Sequence, residues 1–246
     1  MLRSLIVIPS RYGSTRFPGK SLFTIAGKPL VQWVWEACIL SKQAEEVVVA
    51  TDDARIADVV RSFGGRVAMT STEHRSGTDR MAEVAAQIPA EIYVNVQGDE
   101  PLLPADAVDG LIAGLGDSPM ATLAHRIHTE QEWRSPEVVK VVTNTSRQAL
   151  YFSRSPLPFT REWSTALDVW RHVGIYAFRA EALRQFVSWN PSLLEIAESL
   201  EQLRAIENGM PILVLPTEFR CRGVDCPADV PGVEEELKQQ VAAGAV

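Results

Sequence analysis

The residues best suited to chemistry stand in one stretch, Pro9-Ser10-Arg11-Tyr12-Gly13-Ser14-Thr15-Arg16-Phe17-Pro18-Gly19-Lys20. Cations at 11, 16 and 20, interleaved with glycines and backbone N–H groups, suit a polyphosphate, whose charge must be met from several sides. The ending Gly19-Lys20-Ser21 imitates a P-loop, but five residues separate Gly13 from Gly19. That motif has four, and Pro18 also removes an N–H from where the phosphate cradle would be. Taken alone, such a loop is also readable as a solvated turn. A second chemical feature is Asp99, which follows the apolar run Ile92 to Gln97. Its carboxylate is expected at the carboxyl end of a strand, beside the loop, where a hard cation such as Mg2+ binds with one or two carboxylates plus substrate phosphates.

The elements that must position these groups follow from periodicity. Short β-branched runs at Leu5 to Pro9, Val47 to Thr51, Arg66 to Met69 and Ile92 to Gln97 alternate with amphipathic stretches. This pattern predicts an α/β fold with a central, mostly parallel sheet covered by helices. Helices are expected after Pro29, from Asp53 to Phe63, from Thr78 to Gln87 and from Pro104 to Leu115, the second closed by Gly64 and Gly65. Ser76-Gly77-Thr78-Asp79-Arg80 reads as a serine N-cap with an acid in the first turn.

The middle of the chain changes character. Ala121 to Ile127, Val138 to Val142, Ala149 to Ser153 and His172 to Phe178 are strand-like, which predicts a mixed sheet edge or a small β-rich subdomain. Ser155 to Trp170, with its prolines and tryptophans, has no clean period and reads as a long excursion whose apolar content hints at a partner surface. Helices at Ala180 to Val187 and Leu193 to Asn208, a strand at Ile212 to Leu215 and a C-terminal helix near Val233 to Ala243 complete the series.

Bulk properties exclude several classes. Over 246 residues, 46% apolar and 22% charged residues allow a self-sufficient core, and a net charge of −7 argues against general nucleic-acid binding. Cys38, Cys221 and Cys226 form neither an even set nor a C-x-x-C pair, so a reducing compartment is the simplest reading. No apolar stretch approaches the ~18 residues of a membrane span, so a soluble, cytoplasmic protein is expected.

The opening loop resembles the R-x-x-S-[ST]-R-x-P-G-K signature of sugar nucleotidyltransferases. His74-Arg75-Ser76-Gly77-Thr78-Asp79-Arg80, Val94-Asn95-Val96-Gln97-Gly98-Asp99-Glu100-Pro101 and Tyr151-Phe152-Ser153-Arg154 narrow the resemblance to one branch. Arg171-His172-Val173-Gly174-Ile175-Tyr176 and Leu200-Glu201-Gln202-Leu203-Arg204 do the same. Together they resemble the 3-deoxy-manno-octulosonate (Kdo) cytidylyltransferase family, from about residue 4 to residue 230.

The resemblance implies a Rossmann-like nucleotidyltransferase fold in a single domain. About 1–120 would form a nucleotide-binding half, about 121–230 a sugar-binding and dimerisation half, and 231–246 a terminal helix. It implies transfer of CMP from CTP to the anomeric hydroxyl of an acidic ulosonate, for lipopolysaccharide biosynthesis, with Mg2+ as cofactor and a homodimer as the assembly. Arg11, Lys20, Asp99 and Asp225 would be catalytic, with Asp99 and Asp225 holding metal. Ser14, Ser76, Gly77, Arg80 and Gln97 would join Arg11 and Lys20 around the nucleotide. Gln97, Arg154, His172, Tyr176, Glu201 and Gln202 would line the sugar pocket. An aspartate before a proline-containing loop, as at Asp225, is otherwise more often a turn or cap residue. No side chain stands out as a nucleophile, so the sugar's own hydroxyl would attack.

Two departures lie on the presumed sugar or metal side. Ile196 stands where the family pattern has histidine, and Arg220-Cys221-Arg222-Gly223 replaces a more usual Pro-Gly-Thr-Gly. An amino-substituted ulosonate such as 8-amino-Kdo, or another nonulosonic acid, therefore stays open as the acceptor. A non-catalytic nucleotide sensor acting through the 155–170 surface is the rival of a different class.

Overall fold

Strand β1 (Leu2–Pro9) buries every residue from Ser4 to Ile8, as a strand covered on both faces must. In the computed structural model, which describes residues 1–13, 16–164 and 166–242, the chain divides into two compact units. The first comprises Met1–Ile112 with Cys221–Val246, and the second Ala113–Arg220. The expected halves met near residue 120. The division instead falls at 112, and the chain from Cys221 onward, terminal helix included, returns to the first unit.

In the first unit β1 lies between β4 (Glu46–Thr51) and β6 (Ala90–Asn95), and β5 (Arg66–Met69) pairs with β4. All three pairings are parallel, with Ile6 opposite both Val47 and Val94. Helix α1 (Leu30–Ile39) buries Leu30, Val31, Trp33, Val34, Ala37 and Cys38, a stripe of helical period. A small hairpin, β2 (Thr24–Ile25) and β3 (Lys28–Pro29), precedes it and was not legible in the sequence. Pro29 is the N-cap residue of α1 rather than its first turn. Asp53 caps α2 (Ala54–Ser62) by accepting from the Arg55 N–H, and Ser76 caps α3 (Gly77–Gln87) by accepting from the Asp79 N–H. Helix α4 is Ala105–Gly114.

In the second unit β7 (Met120–Arg126) pairs antiparallel with β10 (Trp170–Arg179) and parallel with β11 (Ile212–Pro216). The hairpin β8 (Lys140–Thr143) and β9 (Ala149–Ser153) joins through β8 to β10. This is the mixed, β-rich region expected, with a short helix α5 (Glu130–Arg134) added before it. Helix α6 is Ala180–Ser188.

The helix expected over Leu193–Asn208 is two helices, α7 (Leu193–Glu198) and α8 (Leu203–Glu207). A capping box of Ser192 and Glu195 starts α7, and Ser199 ends it in the left-handed region at φ 54°. One tryptophan of the excursion turns inward: Trp163 packs on Trp133 at 5.5 Å between ring centroids, against a small core with Ile127, Val138 and Val169. Phe159, 84% exposed, is the aromatic left outside. The last helix, α9 (Val230–Ala242), buries Val233 and Leu237 and belongs to the first unit. No helix among the described residues is long and apolar enough to cross a membrane.

Candidate active site

The loop leaving β1 is pinned at both ends. The Gly19 N–H donates to the Tyr12 carbonyl at 2.8 Å, closing it, with Gly19 in the left-handed region at φ 72°. A Cβ there would also lie 3.1 Å from the Tyr12 ring, a tight contact, so glycine suits the position on both counts. Arg55, held by Asp53, stacks over Tyr12 at 3.5 Å, and Phe17 packs edge-on against Phe23 at 5.0 Å. These anchors fix the loop whose end carries Lys20, at the start of a 3-10 turn.

A second loop, beyond β6, meets the first through Gly98. A Cβ on Gly98 would fall 2.8 Å from the Pro9 carbonyl oxygen and 2.9 Å from Ser10 Oγ, so only glycine allows this approach. Asp99 follows immediately. A third segment lies over it: the Val224 N–H donates to the Asp99 carbonyl at 2.9 Å, and the Asp229 carboxylate accepts from the N–H groups of Asp225 and Cys226. The Lys20 ammonium bonds the Asp99 carboxylate and lies 3.9 Å from Asp225 Oδ1, which also accepts from Arg16 at 2.8 Å. Two carboxylates 126 positions apart in the chain thus converge on one positive centre.

These groups line a cavity of about 230 Å3, together with the amino end of α3. Its charged lining comprises Arg11, Arg16, Lys20, Arg75 and Arg80 against Asp99 and Asp225, a clear cationic excess. Arg16 and Lys20 are matched by those carboxylates, and Arg80 is buried on Asp52 at 2.8 Å. Among the described residues Arg11 and Arg75 have no hydrogen bond or ion pair, so they are the cations available to an incoming anion. Ser10 Oγ, buried in the same wall, has no hydrogen-bond partner among the described residues. Gly77 approaches Pro9 closely, a Cβ there lying 3.2 Å from Pro9 Cγ, and Gln97 sits at the cavity edge beyond β6.

The second unit gathers the other candidates. His172 is 9% exposed; burial pushes its imidazole down to about 3, so the ring is neutral. Thr122 Oγ1 lies 2.8 Å from the Ile175 carbonyl and 3.0 Å from His172 Nε2. With one hydroxyl proton donated to the carbonyl, Thr122 accepts from Nε2–H, which assigns the tautomer and leaves Nδ1 as an acceptor. Tyr176 stacks 5.4 Å from His172 despite an irregularity between Val173 and Tyr176, so the two do share a wall. Burial, with the Glu201 charge, pushes the Tyr176 phenol well up, keeping it a donor. Because the helix breaks at Ser199, Glu201 and Gln202 lie in a turn rather than on a solvent-facing helix. Gln202 is 3% exposed and its Nε2 meets no partner among the described residues. Arg154 is half-buried, donating Nε to the Glu198 carbonyl at 3.0 Å and Nη1 to the Pro136 carbonyl at 3.1 Å.

The family model described as cytidylyltransferase matches residues 5–212. This chain belongs to the cytidylyltransferase family. Two relatives called 3-deoxy-manno-octulosonate cytidylyltransferase align along nearly the full length. That of Geobacter sulfurreducens is 53% identical over 94% of this chain and 98% of its own, and that of Pseudomonas syringae pv. tomato 50% over 95% and 97%. A solved CMP:2-keto-3-deoxy-manno-octonic acid synthetase, complexed with CTP, superposes with a TM-score of 0.92. It is 43% identical and covers 97% of this chain and 99% of its own. The inositol-1-phosphate CTP transferase of T. maritima, at 17% identity and a TM-score of 0.66 over 95% of this chain and 94% of its own, shares the fold.

For this cytidylyltransferase the structure brings Arg11, Lys20, Ser76, Gly77, Arg80, Gln97, Asp99 and Asp225 to one cavity in the first unit. His172 and Tyr176 meet in the second unit, where Arg154, Glu201 and Gln202 also lie. Ser14 lies outside the described residues. Ser76 and Arg80 carry evident structural duties there, as helix cap and as Asp52 partner. Sequence reasoning gave no role to Ser10, His74, Arg75 or Gly98, though all lie within the quoted motifs and all line the cavity. The signal was their position, next to the cap of α3 and to Asp99, rather than their type.

Proposed function

We propose that this cytidylyltransferase moves CMP from CTP to the anomeric hydroxyl of Kdo, releasing pyrophosphate. The observation that carries the reading is the sharing of Lys20 between Asp99 and Asp225 at the wall of a cation-rich cavity. The naming of its relatives and of the CTP complex supports the same substrates.

In this reading the sugar oxygen bonds the α-phosphorus, the bond to the β-phosphate oxygen breaks, and the hydroxyl proton leaves to solvent. Negative charge grows on the departing pyrophosphate. Arg11 and Arg75, with no partner among the described residues, are placed to meet it, and Lys20 adds a point charge. The amino end of α3, capped by Ser76, adds backbone donors at the same cavity. In the second unit the neutral His172, the protonated Tyr176 and the Gln202 Nε2, which meets no partner among the described residues, suit sugar hydroxyls, and Arg154 suits the carboxylate.

The donor set fits magnesium. No group of three or more His, Cys, Asp or Glu among the described residues could hold a metal alone, but two carboxylates already converge on one positive charge. Such a pair suffices where substrate phosphates complete the coordination. Bound there by Asp99 and Asp225, Mg2+ would neutralise phosphoryl charge. A cytoplasmic site of action accords with three free cysteines. For the homodimer, Phe159 rather than the tryptophans is the exposed aromatic to engage a partner.

Incubation with CTP, Mg2+ and a panel of ulosonates, including Kdo and 8-amino-Kdo, with pyrophosphate measured, tests the reading. Tight CTP binding with no pyrophosphate from any ulosonate would favour a sensor.

A further inference from the structure

The side chain of Lys140 in β8 is wholly buried, 0% exposed, and no carboxylate among the described residues neutralises it at ion-pair distance. An ammonium in that position is costly unless every donor is satisfied. It has three donors and three acceptors: the carbonyl oxygens of Ser135 at 2.9 Å, Val138 at 2.6 Å and Arg154. An aliphatic residue would fill such a strand position at less cost. What the amine adds is a tie between the 135–138 segment and the end of β9, at Arg154.

Glu198, the last residue of α7, grips the same point. Its Oε1 accepts from Ser153 Oγ at 2.5 Å, its Oε2 from the Arg154 N–H at 2.9 Å, and its carbonyl from Arg154 Nε at 3.0 Å. With the Pro136 carbonyl on Nη1 at 3.1 Å, Arg154 is held through its N–H, its carbonyl, Nε and Nη1. Among the described residues one N–H of Nη1 and both of Nη2 remain without a partner, the outer edge of the guanidinium, which is the edge that takes a carboxylate in a forked pair. Lys140 and Arg154 against Glu198 also leave one surplus positive charge for an anionic acceptor.

We propose that Lys140 and Glu198 are positioning residues, which lock Arg154 with its outer edge presented to the carboxylate of the acceptor sugar. This rests on the catalytic reading above. The test is steady-state kinetics of the full chain, with CTP, Mg2+ and an ulosonate the wild type accepts, for Lys140→Met and Glu198→Ala. Both are expected to raise KM for the sugar by roughly tenfold or more, as a loosened fork loses bidentate geometry. KM for CTP, and the CTP dissociation constant measured without sugar, should stay within about twofold, because neither residue lies among the nucleotide set. A purely structural role would lower thermal stability without that split between substrates.

Should Lys140→Met fail to fold, Glu198→Ala, at a half-buried site, carries the test. An unchanged sugar KM in the folded variants, or an equal rise for CTP, overturns the inference while leaving the catalytic reading intact. No pyrophosphate from the wild type with any ulosonate would overturn both.

Discussion

The Arg16 guanidinium and the Asp225 carboxylate, 209 positions apart in the chain, meet at 2.8 Å. The pair closes the opening loop against the segment that returns from the second unit, and it places Asp225 within 3.9 Å of Lys20. Both partners are more than half exposed, so the pair itself adds little stability. Its value is in placing a carboxylate. Asp225→Asn is therefore expected to leave the melting temperature nearly unchanged while raising the Mg2+ concentration for half-maximal turnover by about tenfold or more. Magnesium titrations of pyrophosphate release check this, and an unchanged requirement would remove Asp225 from cation binding.

Asp99 sits deeper than Asp225, bonded to Lys20 and covered by Val224. Asp99→Asn removes the more buried of the two charges that converge there, and turnover should fall by about 100-fold or more, since several kcal/mol of transition-state stabilisation are lost. Rapid-quench or steady-state assays measure this directly. Turnover within a few-fold of wild type would exclude Asp99 from the mechanism.

The parallel half of the fold was legible because buried strands announce themselves as unbroken apolar runs, as at Leu5 to Ile8 and Val48 to Ala50. The break at Ser199 was not, because a serine in the left-handed region leaves no periodic trace, and the side-chain grip of Glu198 on Ser153 and Arg154 is non-local. The convergence of Arg11, Lys20 and Asp99 on one cavity was legible from their chemical type and the motifs around them. Gly98 and Lys140 were not. The first acts by lacking a Cβ and the second by pairing with carbonyls, and neither contact has a signature in one sequence.

Gly98→Ala tests the contact between the two cavity loops. Its Cβ would fall 2.8 Å from a backbone oxygen that cannot swing away, so one loop must shift. A loss of about 1–3 kcal/mol in unfolding free energy is expected, with weaker CTP binding. Gly110→Ala, in α4 with nothing within 4 Å of its Cβ, is the control and should stabilise by about 0.5–1 kcal/mol. Urea unfolding and calorimetric CTP titration read both variants. Equal stability of the two would mean the loops do not touch at Gly98.

His172 makes stability depend on pH in a defined window. Burial pushes its imidazole from the ordinary 6.5 to about 3. Between those values the unfolded chain takes up a proton that the folded protein does not, so stability falls as pH is lowered through that range. One such group contributes at most about 1.4 kcal/mol per pH unit, or about 2 kcal/mol between pH 6.5 and 5. His172→Gln removes the titration. The difference in unfolding free energy between wild type and this variant, measured in urea at pH 7 and again at pH 5, should shift by about that amount in the variant's favour. A difference independent of pH would mean that the imidazole titrates as it does in water. In that case the ring would be charged in mild acid, and the sugar carboxylate would have a second cationic partner besides Arg154.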